Sequence, residues 1–493
     1  MRRALRWLLL GLLALVLAVA AILVGRALAL PSAQIEGDPE PAPPFDAPAA
    51  VEHLAAALRL PTVSPQDPAD FQGAPFRALH DLLRVAYPCF HRSARREVIA
   101  EYSLLYTWEG RDDRLPPALF LGHLDVVPAD GTWTHPPFAG VIAEGAVWGR
   151  GAIDDKGGVI ALLEAAEALC VAGTRPTRPL LFAFGHDEEN GGTAGATALA
   201  AALAARGARP VAIFDEGMVI TEGVYAGLDA PLALIGVAEK GYLTLRLTVT
   251  SPGGHTMAPP ETSAAARLAA AAARIEAEPF PLRIASPVRE MLEAIAPELP
   301  LARRLPLANL WLFEPLVIAT MAAEDRPRAL LQTSAAVTLL RAGAKENVLP
   351  TEAEALINLR IAPGSSVAEV LEQVRARVAD PAVTIEIHRV SPPVEPSPIT
   401  PLDAPGYRWI ARAVRGALPN AVVAPALVLG GTDSKHFLSL QTIPPPVLRF
   451  RPVALGPADI ATIHGVDERV RIDAFTRAIA IDAAILRAAA AGE

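Results

Sequence analysis

Hydrophobic and polar positions change their spacing several times along the chain, and each change marks an element. Residues 7–25 run without a charge behind Arg2, Arg3 and Arg6. Crossing the hydrocarbon of a bilayer takes about 17–25 apolar residues, whereas the apolar stretch of a cleaved leader is roughly 7–15. A transmembrane helix over 7–25 is therefore expected. The preceding arginines hold the N-terminus in the cytoplasm, which puts everything after Arg26 on the periplasmic, extracellular or lumenal side. A leader cleaved near Ala27 to Ala29 is the alternative, and it exports the remainder equally. Residues 26–50, rich in Pro and Ala with scattered acids and no apolar period, suit an extended linker that lifts the rest off the bilayer.

From Val51 the pattern is globular. Short apolar runs at 118–121, 180–184 and 211–214 alternate with Ala/Leu-rich helical segments at 159–172 and 194–205. That rhythm predicts an α/β fold, a mostly parallel sheet with helices on both faces. At Lys240 the style changes, because 242–250 alternates apolar and polar residues as a half-exposed strand does. Further strands are expected at 335–340, 354–361 and 383–388, with helices at 262–277 and 366–378, so 240–391 reads as a smaller inserted α+β domain of two helices on an antiparallel sheet. After a Pro-rich stretch at 391–401 the first style returns, which assigns 51–239 and 392–493 to one larger domain.

Length agrees with more than one unit, since 493 residues exceed what a single core usually serves. A composition of 52% hydrophobic and 20% charged residues excludes extensive disorder. The net charge of -9, with no Lys/Arg stripe interleaved with aromatics, excludes a nucleic-acid partner. Cys89 and Cys170 cannot form a disulfide framework, and a single bond between them stays open for an exported domain.

Chemistry enters at the strand ends. The three apolar runs finish in Gly-His123-Leu-Asp125, in Gly-His-Asp187-Glu188-Glu189-Asn and in Phe-Asp215-Glu216-Gly. Ligands of open α/β sheets bind at the carboxyl ends of strands, so clusters distant in sequence converge there. A further cluster, Trp148-Gly-Arg-Gly-Ala-Ile-Asp154-Asp155-Lys156-Gly-Gly, opens a helix, where a carboxylate is favoured by the helix dipole. Late in the chain His464 stands in Ile-His-Gly-Val-Asp-Glu468. Taken singly each is an ordinary surface pair, acidic loop or turn; jointly they supply the imidazoles and carboxylates that a pair of zinc ions needs, one carboxylate bridging the metals.

These motifs resemble the aminoacylase, carboxypeptidase G and carboxypeptidase S family of co-catalytic zinc amidohydrolases, metallopeptidase family twenty. The resemblance covers most of the chain from Val51 onward and is nearest to the carboxypeptidase S, or Gly-X carboxypeptidase, branch, which includes proteins with an N-terminal hydrophobic segment. It implies a zinc-peptidase-like larger domain, an inserted lid or dimerisation domain, and two Zn2+ ions per subunit, with Co2+ or Mn2+ as substitutes. It also implies that His123, Asp154 and Asp215 hold one ion and Asp154, Glu189 and His464 the other, that Asp125 orients His123, and that Glu188 is the general base. In the motif Ser251-Pro-Gly-Gly-His255-Thr, His255 would stabilise the oxyanion, often from the partner subunit of a homodimer. Asn347, Arg360, Gly431 and Thr432 match positions that hold the substrate carboxylate or carbonyl. The loop expected from Phe280 to Arg328 is longer than in compact relatives, which also suits that branch.

The expected reaction is hydrolysis of the amide bond of a short peptide or N-acyl amino acid that carries a free carboxylate. Three alternatives stand beside it. One is synthesis or hydrolysis of fatty-acyl conjugates, the same chemistry run either way. Another is a single-metal or aminopeptidase-type hydrolase that recognises an amine. The third is an exported binding protein of the same fold, which has no need of Glu188 beside a complete metal set.

Overall fold

The computed structural model describes residues 2–492 except Pro39, Gln66, Val390 and Ser391. The expected boundary at 391 and the first residue of the Pro-rich stretch lie outside the described residues. Where the apolar runs fall, strands form. They are β1 Ala94–Ile99, β2 Ser103–Trp108, β3 Ala118–His123, β4 Leu180–Gly185, β5 Ala212–Asp215, β6 Ile220–Thr221 and β7 Leu232–Glu239, followed by β8 Gly241–Thr250, β9 Ser334–Ala342, β10 Glu352–Ile361 and β11 Thr384–Ile387, and finally β12 Val422–Val428, β13 Val447–Arg449 and β14 Ala454–Leu455.

The larger sheet has the order β1-β2-β4-β3-β5-β13-β7-β6-β14, with β12 beside β7. Its centre, β4-β3-β5-β13, is parallel, and β12 and β14 add parallel pairs, while β1, β2 and the β13–β7 and β6–β7 joints are antiparallel. A strand covered on both faces reads as a continuous apolar run, and every residue of β3, β4 and β5 is buried. Phe120, Phe182 and Phe214 face one side, where helices Ala47–Leu58, Lys156–Val171, Pro405–Ala417 and Ile472–Ala490 pack. Leu119, Leu121, Ala183 and Ile213 face the other, under helix Gly195–Ala205.

The second sheet, β9-β10-β8-β11, is antiparallel. Helices Ala264–Ala277 and Val367–Val378 cover its inner face. Both start at serines: Ser263 accepts the Ala266 N–H at 3.2 Å, and Ser366 exchanges hydrogen bonds with Glu369 in a capping box. The 280–328 segment is not the expected loop but largely helical, as Val288–Ile295, Leu301–Ala308, Leu310–Met321 and the start of Asp325–Leu331. These helices bury Val288, Leu292, Leu310 and Val317 against Val422, Ala424 and Leu427 of β12 at the edge of the larger sheet. Prolines at 287, 297, 300, 306, 315 and 327 interrupt the apolar period, which hides those helices from a periodicity reading.

Residues Arg2–Ala29 form one apolar helix long enough to cross a membrane. The linker after it does not stand free. Gln34 exchanges hydrogen bonds with the Val423 backbone at 2.7 and 3.1 Å, Asp38 N–H donates to Arg412 O at 3.0 Å, and Arg487 donates to the carbonyls of Glu40 and Pro41 at 2.9 Å. A linker without apolar periodicity can still be anchored by hydrogen bonds, so the expected spacer is tied along the body at these residues.

Cys89 and Cys170 form a disulfide that ties the short helix Pro88–Ser93 to the central helix Lys156–Val171 across a sequence separation of 81. Closing a loop of that size restricts the unfolded chain by about 4.5 kcal/mol. Cys170→Ser is expected to lower the midpoint of thermal unfolding by several degrees; equal midpoints for oxidised wild type and the variant would contradict the bond's contribution.

Candidate metal centre

The carboxyl ends of the adjacent parallel strands β3, β4 and β5 deliver His123, the Asp187–Glu189 turn and Asp215 to one edge of the sheet. The loop before helix Lys156–Val171 adds Asp154, and the segment before helix Ile472–Ala490 adds His464. His123 Nε2 lies 3.0 Å from Asp154 Oδ1, and His464 Nε2 lies 3.0 Å from Asp154 Oδ2 and 3.3 Å from Glu189 Oε1. Ligand atoms of His123, Asp154 and Glu189 all fall within 4.8 Å of one another. Asp154 thus presents one oxygen to each imidazole, the disposition a bridging carboxylate requires.

A second set of contacts holds these groups in place. The His123 Nδ1 is 3.1 Å from the Asp125 carbonyl and 3.4 Å from its carboxylate, which leaves Nε2 to face Asp154. The Asp125 carboxylate itself accepts the N–H groups of Glu188 and Glu189, both at 3.1 Å, and so fixes the turn that carries them. Glu468, fully buried, accepts from the backbone of Gly151, Ile153 and Asp154 at 3.0, 2.8 and 3.2 Å and from Arg150 at 2.7 Å, cradling the Asp154 loop. Asp155 turns away from Asp154 to a buried bidentate pair with Arg451 at 2.9 and 2.6 Å, and accepts the His123 N–H at 3.3 Å. His464 holds φ 58°, a left-handed conformation costly for a residue with a Cβ.

The electrostatics ask for a cation. Burial opposes charge on His123, but hydrogen bonds to Asp125 and Asp154 outweigh it and raise its pKa. Hydrogen bonds to Asp154 and Glu189 raise His464 to about 10. Burial also tends to raise Asp154, yet the two imidazoles hold its carboxyl below the usual carboxylate range. Burial, together with neighbouring acids, pushes Glu188, Glu216 and Asp433 well above that range. Among the described residues, both buried carboxylate oxygens of Asp433 lack a hydrogen bond, and Glu189 Oε1 has only the 3.3 Å approach of His464 Nε2. Several acids facing two imidazoles, with oxygens left over, fit divalent metal ions, and the mixture of imidazole and carboxylate suits zinc better than calcium or magnesium.

Asp215 is buried beside this group, each oxygen taking one backbone N–H at 2.9 Å, from Glu216 and from Ser434. A carboxylate has about four acceptor positions, so ligand capacity remains. His255 pairs with Val348 on the small ladder Gly254–His255 with Val348–Leu349, Asn347 is the turn residue just before it, and His255 Nδ1 accepts the Met257 N–H at 3.0 Å. Arg360, in β10, stacks over Tyr242 at 4.8 Å from the ring centre. Among the described residues, no hydrogen bond or ion pair joins His255, Asn347 or Arg360 to the cluster. Gly431 is exposed, while Thr432 is buried and spends its hydroxyl on Ser434 at 2.7 Å. Sequence reading attached no role to Glu468, Arg451, Glu216 or Asp433. The available signals were Glu468 closing the His464 motif and Arg449 and Arg451 standing in the apolar run 447–453.

A family profile described as peptidase family M20/M25/M40 matches residues 119–488. A probable carboxypeptidase S-like protein of Dictyostelium discoideum is 36% identical over 434 residues, covering 87% of this chain and 82% of its own. An N-fatty-acyl-amino acid synthase/hydrolase of Bos taurus is 38% identical over 431 residues, covering 86% and 84%. Among solved structures, a metallo-carboxypeptidase of the M20 family from Sulfolobus solfataricus superposes with a TM-score of 0.65 at 16% identity over 90% of this chain and 99% of that one, which shows a shared fold.

Proposed function

Because the chain belongs to peptidase family M20/M25/M40, we propose that it is a di-zinc amidohydrolase cleaving the amide bond of short peptides or N-acyl amino acids that carry a free carboxylate. The observation that carries this reading is Asp154, one oxygen toward each of His123 and His464, with Glu189 Oε1 3.3 Å from the same His464 nitrogen. In this reading His123, Asp154 and Asp215 would hold one zinc, and Asp154, Glu189 and His464 the other. When bound, such metals lower the pKa of water toward about 7 and polarise the scissile carbonyl.

The protein's own groups do the remainder. Glu188 takes the proton of the attacking water and returns it to the departing amine. Burial raises its pKa above the usual carboxylate range, the direction that helps it hold and then return the proton. Asp125 holds the Glu188 backbone, so the base has a fixed direction. His255 donates to the developing oxyanion, from this subunit or from a second copy. Arg360 is the carboxylate fork, assisted by Asn347 and the backbone at Gly431 and Thr432. The N-terminal helix anchors the protein, with the enzyme on the exported side. The Cys89–Cys170 bond supports an oxidising compartment.

Zinc-loaded protein is expected to hydrolyse an N-acyl amino acid about 10- to 10²-fold faster, in kcat/KM, than the same compound with its carboxylate converted to an amide, the loss expected for one charged hydrogen-bonded pair. Equal rates on both, or a preference for amino-acid amides, would remove the carboxylate-directed reading in favour of an aminopeptidase. A second reading, favoured by the bovine relative, is that the acyl half is a fatty acid and that the reaction also runs toward synthesis.

A further inference from the structure

We propose that helix Leu310–Met321 is a second membrane element, whose exposed face lies in the outer interface of the bilayer that helix Arg2–Ala29 crosses, with phospholipid as its occupant. This rests on reading the N-terminal helix as a membrane span.

The face is continuous and uncharged. Trp311, Leu312, Pro315, Leu316, Ala319 and Thr320 are all exposed, at helical spacings i, i+1, i+4, i+5, i+8 and i+9, so they form one stripe. Trp311 is 65% exposed, Leu312 45% and Leu316 57%. The opposite face is already used: Leu310 and Val317 sit in the core cluster on β12. The helix's single charge, Glu314, is drawn to Arg289 at 3.3 Å. A helix apolar all round, with one side packed and the other open, needs an apolar environment on the open side.

The neighbouring element identifies that environment. Helix Leu301–Ala308 packs beside Arg2–Ala29, and Asn309, fully buried in the turn between the two insertion helices, donates to Leu23 O at 3.0 Å. Leu23 lies two residues before the end of the charge-free run at Gly25, so the contact falls within about 5 Å of the outer boundary of the hydrocarbon at 1.5 Å per residue. Tryptophan favours that depth. The pinned strap at Gln34, Asp38 and Pro41 keeps the body from moving away from the membrane surface. Whatever surrounds Leu8 to Ile22, which is exposed along most of its length, therefore extends to Trp311 and Leu316.

The test uses full-length protein in vesicles of phosphatidylcholine and phosphatidylglycerol, with and without bromine on the upper acyl carbons. The fluorescence difference between wild type and Trp311→Phe isolates Trp311 from the other tryptophans, Trp7 included. Brominated lipid should quench most of that difference signal, and aqueous iodide little of it. Leu312→Glu with Leu316→Glu should abolish the bromolipid quenching while the protein still floats with vesicles and hydrolyses a short soluble substrate at the wild-type rate. Three results overturn the proposal. Trp311 quenched by iodide and not by bromolipid means the face is in water. Trp311 protected from both, with cross-linking through residue 316, means a second copy covers it. A protein that does not float at all removes the membrane span as well, which separates failure of the anchor reading from failure of the insertion helix alone.

Discussion

Glu188→Gln is expected to keep its zinc and lose turnover, kcat falling by about 10³–10⁴-fold, the upper range for removal of a general acid-base group. The substitution preserves size and leaves the backbone N–H that Asp125 accepts, so the turn carrying Glu189 stays in place. KM should change little, because the lost interaction belongs to proton transfer and not to ground-state binding. Metal analysis and steady-state kinetics on the same preparation decide it. Substantial turnover with full zinc would remove Glu188 as the base, whereas loss of zinc would make it a ligand.

Asp154→Ala is expected to fail in the opposite way, losing metal first and activity as a consequence. Its two oxygens face His123 and His464, 3.0 Å each, so one substitution withdraws a ligand from both proposed ions. Removing a partner outside the ligand set typically costs 10–100-fold in metal affinity, and removal of a shared ligand is expected to exceed that range. The cradle of Glu468 contacts the loop through the backbone N–H groups of Gly151, Ile153 and Asp154, so the loop should keep its course in the variant. Zinc measured after dialysis, with circular dichroism to verify folding, tests this. Stoichiometric zinc in the folded variant would show that Asp154 is not a shared ligand.

Much of the candidate site is legible in the sequence because the chemistry sits in short, contiguous motifs. Gly-His123-Leu-Asp125, Glu188-Glu189 and the late His464 declare their types directly, and the rule that strand ends collect ligands brings them together. The partners that hold them could not be read this way. Arg451 lies 296 residues from Asp155, and Glu468 lies 314 residues from Asp154, with no local pattern linking either pair. The helices at 288–331 were obscured for a different reason, since prolines inside Leu301–Ala308 and Leu310–Met321 break the apolar period while tertiary packing on β12 maintains the helices.

By itself the sequence determined the strands of the parallel centre, the apolar N-terminal helix and the metal-competent residue types. These depend on burial and local spacing, both written in the order of residues. Only the tertiary structure decided that Asp154 faces two imidazoles, that Gln34, Asp38, Glu40 and Pro41 tie the linker to the body, and that an uncharged face of Leu310–Met321 stands beside the N-terminal helix. Each of those is a meeting of segments far apart in the chain. It is set by how packed layers close on one another, a free energy summed over the whole core that no window of sequence contains.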